Sequence, residues 1–568
     1  MLVTRMLLVY PKAAFRVCVC SILQNRNILT LSKQYFRAKH DSETISHYLV
    51  HRGIDDAYIS IDRRQSSTFH ISSYSDLQKE YKASGYTHRL PIINRFDVLR
   101  QWLGLCDKQH SCMQGRRQVM PKRVIFVGTD HADQLQLQES AHITQPFDYI
   151  TLSHCWGKPT AEEMEQFRTT PRNYDIRLKG FPYRSLPKVF QDAITVTREL
   201  NKQYLWIDAL CIIQGDQKDW EEEGARMDKV FASAYCTIAS SSASGWNDGF
   251  LNRTQDSSQS EGVSSDDKII HDFRELVDGG QLHTRAWVLQ ERALSRRTIY
   301  FTAQQTYWEC GRRVRCENFT TLRCPVTRLY LLDSRFPERL VISGYKSAAL
   351  FLQELITDYS RRDLTFPKKD KVVAFSGIAE RIKEALATEV RYGVFRCFLP
   401  RLLLWKRAEM ENDRIFYDDD RVPSWSWMLY NGKIDFLTQS DLQVPKHQSL
   451  SFDNSERGID IEVRQLENCY TRERDGEHII FTKIKKVEVT KEVEVGILHF
   501  DMGSAAEVES RNCVVIAMSQ DDDKDDPNKE YYILAIQRTS GEEEYERLGV
   551  GRVRACYVSK GSISGKLL

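Results

Sequence analysis

Residues 204–242 read YLWIDALCIIQGDQKDWEEEGARMDKVFASAYCTIASSS. The run Tyr204–Ile213 is apolar but for one carboxylate, Asp208, which predicts a strand covered on both faces. Gly215-Asp216 signals a turn, and Asp219 with Glu222 resembles a capping box opening a helix over 219–234. Trp220, Met227, Val230, Phe231 and Ala234 share one stripe of that helix, and a second strand follows at 235–242. Glu223 falls on the same stripe. A carboxylate on an apolar face must be paired, protonated or used, which makes Glu223 the first candidate for chemistry.

The flanking segments repeat the alternation. Tyr149–Gly157 (YITLSHCWG) predicts a strand running into a tight turn, and 185–200 predicts a helix with a capping serine and a proline in its first turn. Shorter strands are expected at 122–128 and 135–139, and a helix at 96–105. Strands alternating with amphipathic helices imply an α/β fold, a parallel sheet flanked by helices. Ligands of such sheets sit beyond the carboxyl ends of the strands. The expected rim is therefore Ser153, His154, Cys155 and Trp156, with Asp208 and Cys211, then Ser240–Ser242.

The chain of 568 residues is too long for one core, and its 41% hydrophobic and 28% charged residues are ordinary for globular protein. A formal charge of +2 gives no global signal for nucleic acid or membrane surface, and no apolar window is long enough for a span. The 14 cysteines are scattered, which suits reduced thiols and a cytoplasmic setting. Residues 1–40 carry seven basic residues and no acidic one, so mitochondrial targeting is the lesser alternative. Cys106, His110 and Cys112 match no standard finger spacing and lack a fourth ligand, so a surface loop and no metal are expected. Residues 1–90 form an unassigned extension, 91–320 the α/β domain with a flexible polar insertion near 254–267, 321–420 a mainly helical region and 421–568 a smaller β-rich C-terminal domain. The acidic run 521–530 reads as a solvated hairpin loop.

Several chemistries are excluded. The string at Gly561–Lys566 is one residue short of a phosphate-binding loop, and no dinucleotide fingerprint, nucleophile elbow or metalloprotease helix occurs. Trp425 and Trp427 lack interleaved basic residues, which favours packing over base stacking.

Taken together, the motifs resemble one family, the fungal heterokaryon incompatibility (HET) domain proteins. The likeness rests on Leu152–Gly157, Leu186-Pro187 through Ile194, Tyr204–Gln214, Asp219-Trp220, Glu223, Met227, Thr237–Ala239, Gly249–Leu251, Arg285–Arg292 and Tyr307–Cys310. It covers about 149–310 and continues through Tyr359–Arg361, Gly377-Ile378 and Pro423–Trp427. The resemblance implies non-self recognition between hyphae ending in programmed cell death, with the domain acting as a signalling or interaction module. Its partners would be products of an incompatible allele or further copies of the chain, with no nucleic acid. The family is also distantly similar to TIR domains, some of which hydrolyse NAD, so a TIR-like sheet and an NAD hydrolase with Glu223 as its carboxylate form the alternative. In that case NAD is a substrate and no cofactor is required. Asp208, Ser153 and Cys155 are the other catalytic candidates, and Trp156 with Asp208 the candidates for holding the nucleotide. Against this, Glu223 could instead pair with Arg285 or Arg292, and Asp208 could cap a helix. His154 and Cys155 face opposite sides of a strand and cannot activate one another directly.

Overall fold

The computed structural model describes residues 95–113, 115, 119–128, 132–252, 273–317, 321–322, 333–408, 414–418, 422–437, 442–444, 450–474, 477–486, 489–502, 512–519, 529–541 and 543–568, and before these only four short strands within 29–72. Nearly all of 1–40, the insertion 254–267 and most of 521–530 lie outside the described residues.

The first half is organised on one ten-stranded sheet. Its strands are β1 (Arg123–Phe126), β2 (Gln134–Glu139), β3 (Tyr149–Ser153), β4 (Phe181–Pro182), β5 (Tyr204–Trp206), β6 (Cys236–Ala239), β7 (Arg297–Phe301), β8 (Thr306–Cys310), β9 (Arg313–Cys316) and β10 (Thr321–Leu322). Across the sheet they run β10-β9-β8-β7-β6-β3-β5-β1-β2-β4. The four central strands β7, β6, β3 and β5 are parallel. Antiparallel strands extend both sides, so the expected parallel sheet is in fact mixed. The parallel centre is buried, with every residue of β3, β6 and β7 in the interior. This is the condition under which parallel strands read as unbroken apolar runs.

Two expectations for residues 204–242 need correction. The strand is only Tyr204–Trp206, and Asp208–Cys211 is a single helical turn. An apolar run buried on all sides does not distinguish a period of 2 from one of 3.6, which is why the run read as one long strand. The expected helix is two, Gln217–Gly224 and Met227–Ser233. The first is capped by Asp216, whose carboxylate accepts from Asp219 N at 3.1 Å. Asp219 is drawn instead into an ion pair with Arg123, and Glu222 into one with Lys122. Similarly, Pro187 rather than Ser185 stands at the start of the helix Lys188–Glu199. Trp206, Ile207 and Ile212 are core residues as expected.

Beyond the sheet, helices Tyr345–Ser360 and Pro367–Leu386 lead to a second, largely antiparallel sheet formed by strands between 442 and 567. One apolar cluster runs from Ala286 and Leu289 through Leu352, Ile356, Phe375 and Ile378 to Val514, Leu534 and Val550. A second cluster fills the first sheet around Ile125, Ile150, Phe190 and Trp206. Trp287 packs against both. Among the described residues no helix is long and apolar enough to cross a membrane.

Candidate functional site

Polar residues of the quoted motifs gather at the carboxyl ends of the parallel strands. Ser153 ends β3, and the chain continues through His154, Cys155 and Trp156 to Gly157, whose φ of +70° is left-handed. A Cβ at Gly157 would stand 2.8 Å from Gly245 Cα, so glycine lets this turn press against the loop after β6. That approach brings Trp156 and Trp246 together, with ring centroids 5.3 Å apart. Trp156 Nε1 donates to Asp208 Oδ2 at 3.0 Å, while Ala209 N donates to Asp208 Oδ1 at 2.7 Å. Asp208, the first residue of its helical turn, thus accepts from the next backbone N–H and holds the Trp156 indole.

His154 is buried edge-on against Phe190. Its Nε2 accepts from Trp246 Nε1 at 3.3 Å, and its Nδ1 lies 3.8 Å from Asp208 Oδ1, too far for a hydrogen bond. Burial lowers the imidazole to about 4, so it is neutral at physiological pH. Arg285 Nη1 donates to the His154 carbonyl and so ties the later motif to the first.

The helix Ala286–Leu294 completes the arrangement with Glu291, 7% exposed. Burial pushes this carboxyl up to about 7, against the opposing pull of Arg285 and Ser153, with Asp208 pushing it further up. Neither Ser153 Oγ nor Glu291 Oε2 makes a well-formed hydrogen bond. A buried carboxyl that titrates near neutrality beside an arginine and a hydroxyl can hold or release a proton, or face a developing positive charge.

Two further candidates are Glu223, on another helix, and Cys155, which lies between His154 and Trp156 and feels the charges of Arg285 and Glu291. Glu223 is buried on the helix Gln217–Gly224. It pairs with Arg226, Nη1 to Oε1 3.4 Å, within its own turn. Neither Arg285 nor Arg292 is its partner: Arg292 is engaged by Asp278 and Glu309. Burial raises the Glu223 carboxyl against the pull of Arg226, Arg123 and Lys122, and its Oε2 has no well-formed hydrogen bond among the described residues. Cys155 points into an apolar pocket with Ala239, Phe273, Leu282, Val288 and Tyr300, and burial raises its thiol, the opposite of nucleophile activation.

Sequence reasoning missed Glu291 as a site residue, although the signal was present. It sits three residues after Val288 on a helix whose neighbours are Ala, Val and Leu, the same criterion that singled out Glu223. Asp192 explains a further motif pair: Phe250 N and Leu251 N donate to its Oδ2 at 2.8 and 3.0 Å, and Lys188 Nζ pairs with Oδ1 at 2.5 Å. The 106–112 segment also departs from expectation. Cys106 and Cys112 are buried, and Cys310 at the end of β8 supplies the fourth ligand-type side chain.

The stretch 149–291, from the start of β3 to Glu291, matches the family model of the heterokaryon incompatibility protein (HET). The chain carries a HET domain. No curated protein and no solved structure matches it. The HET match takes in Ser153, His154, Trp156, Asp208, Arg285 and Glu291, the whole of the rim group, as well as Glu223. It excludes Cys106, His110, Cys112 and Cys310, which flank the HET domain on either side.

Proposed function

We propose that this chain acts in heterokaryon incompatibility, as a cytoplasmic signalling module whose HET domain engages protein partners and leads to programmed cell death in fungal hyphae. The family match supports the general role. The observation that carries the non-enzymatic reading is burial at the rim: Ser153, His154 and Glu291 are 3%, 3% and 7% exposed, His154 Nε2 is taken up by Trp246, and the Asp208 carboxylate by Trp156 and backbone. Buried groups tied to one another hold a fold more readily than they meet a substrate. The test is expression of the full chain in a fungal host. Growth arrest with cellular NAD unchanged supports the module, and no arrest in any genetic background removes it.

A second reading rests on Glu291. In a TIR-like hydrolase, the nicotinamide–ribose bond of NAD breaks, nicotinamide leaves with the bonding pair, and water adds to the ribosyl cation with loss of a proton. Ionised Glu291 would stabilise that cation, and Asp208 with Trp156 would hold the nucleotide. The reading moves the catalytic carboxylate from Glu223 to Glu291, whose neighbours are Ser153, Asp208 and Arg285. NAD turnover by purified protein that is lost in Glu291→Gln and kept in Glu223→Gln would establish it.

A further inference from the structure

Cys106 lies in the last turn of the helix Arg95–Gln109, His110 follows it directly, and Cys112 sits in the short turn Ser111–Met113. Cys310 ends β8, 200 residues from His110 in sequence. All four side chains are buried, and their ligand atoms lie within 4.8 Å of one another. Cys310 Sγ and His110 Nδ1 are 3.5 Å apart. A tetrahedral zinc ion with bonds of about 2.3 Å to sulfur and about 2.05 Å to nitrogen places such a pair about 3.6 Å apart. Cys112 and Cys310 are each within hydrogen-bonding reach of both Cys106 and His110.

As a metal-free core this group is poorly satisfied. Thiols are weak hydrogen-bonding partners, and His110 Nε2 has no hydrogen-bond partner among the described residues. Its surroundings fit a site of three thiolates. The Arg297 guanidinium, 1% exposed, is close enough to Cys106 to feel its charge, and it is held in place by Asp107 at 2.5 Å. The Ser334 hydroxyl reaches Cys112, and Arg296 Nη1 donates to the Cys112 carbonyl at 2.8 Å. A buried cation offsets the net negative charge that three thiolates leave on a divalent ion, and outer hydrogen bonds fix the ligands.

We infer that Cys106, His110, Cys112 and Cys310 bind one zinc ion in a closed structural site that clasps the helix before the HET domain to the strand after it. Three sulfurs and one nitrogen within 4.8 Å of one another suit zinc, and four protein ligands leave no position for a substrate. The separations are those of a single ion, not of a cluster. Because the ligands come from both sides of residues 149–291, the ion closes the ends of that stretch against each other and stabilises the folded state by its own binding.

The test uses the full chain, purified without chelator. Elemental analysis is expected to find one equivalent of zinc, and cobalt exchange to give thiolate-to-cobalt charge transfer with the d–d bands of a tetrahedral ion. Cys310→Ser should weaken metal binding at least about ten-fold, whereas Cys397→Ser, an exposed thiol elsewhere, should retain the metal. If Cys310→Ser does not fold, Cys310→His keeps a donor and should keep the ion with a shifted cobalt spectrum. Folded wild-type protein that stays well below one equivalent in zinc-supplemented medium overturns the inference. So does a Cys106–Cys112 disulfide, or full metal retention in Cys310→Ser.

Discussion

Arg292 Nε lies 3.2 Å from Glu309 Oε2, joining the helix Ala286–Leu294 to β8 where the side chains are only 3% and 9% exposed. Asp278 takes Arg292 Nη1 at 2.6 Å, and the Tyr300 hydroxyl donates to the same Glu309 oxygen. Removing one member leaves a buried charge uncompensated. Arg292→Ala is therefore expected to cost about 3–5 kcal/mol in denaturant unfolding. The double variant Arg292→Met/Glu309→Gln should cost less than the sum of the two single changes, because it removes both charges.

Glu291 gives the fold a pH dependence with a definite sign. Its carboxyl titrates at about 7 in the folded chain against an ordinary value of 4.5. Between those values the folded state binds more protons than the unfolded one, so this contribution to stability falls as pH rises through the window. The full loss is on the order of 3 kcal/mol above pH 7. Urea unfolding of wild type and Glu291→Gln at pH 5 and pH 8 should show the variant gaining relative to wild type at the higher pH.

His154 acts in the other direction. Its imidazole titrates at about 4 instead of 6.5, so its contribution is intact above pH 6.5 and is lost as pH falls toward 4. An NMR titration is expected to find His154 neutral at pH 5.5, where an exposed histidine is mostly charged.

Glu223→Gln should be mild. Its only ion-pair partner among the described residues, Arg226, has a side chain 34% exposed, so loss of the carboxylate leaves that guanidinium in contact with water instead of stranding a buried cation. The raised carboxyl means that the charged form is already disfavoured, so removing the charge costs little. Soluble, folded Glu223→Gln protein with unchanged activity in the host is the expected outcome. A loss of several kcal/mol would show that the fold needs the ionised carboxylate, which Arg226, Arg123 and Lys122 favour.

Trp427 is fully buried in the core that joins the helices to the second sheet, with Nε1 donating to the Gly393 carbonyl at 3.1 Å. Trp427→Ala should cost about 3–5 kcal/mol by thermal or denaturant unfolding. Gly393 has φ +77°, and a Cβ there would come within 2.6 Å of the Trp427 ring. Gly393→Ala should thus lower the same transition, through both backbone strain and overpacking.

Local features of this chain were legible because they depend on neighbours in sequence. Periodicity places a helix at 96–105, which runs over Arg95–Gln109, one at 185–200, which runs over Lys188–Glu199, and a strand entering a turn at 149–157, which ends at Ser153, and the motif order identified the HET domain. Glu223 was recognised as buried from its stripe alone, and it is. What only the tertiary structure decided involves partners that the chain brings together from far apart. The run at 204–213 becomes a three-residue strand and a helical turn because burial on every side erases the period that would separate them. Glu291 acquires its raised carboxyl from burial, with Asp208 adding to the rise and Arg285 and Ser153 opposing it, contributions from three separate segments. Cys106, His110 and Cys112 look like an incomplete loop until β8 delivers Cys310 from 200 residues away. Spacing along the chain records helical and strand neighbours, whereas burial, charge and ligand number are set by which segments the sheet places side by side.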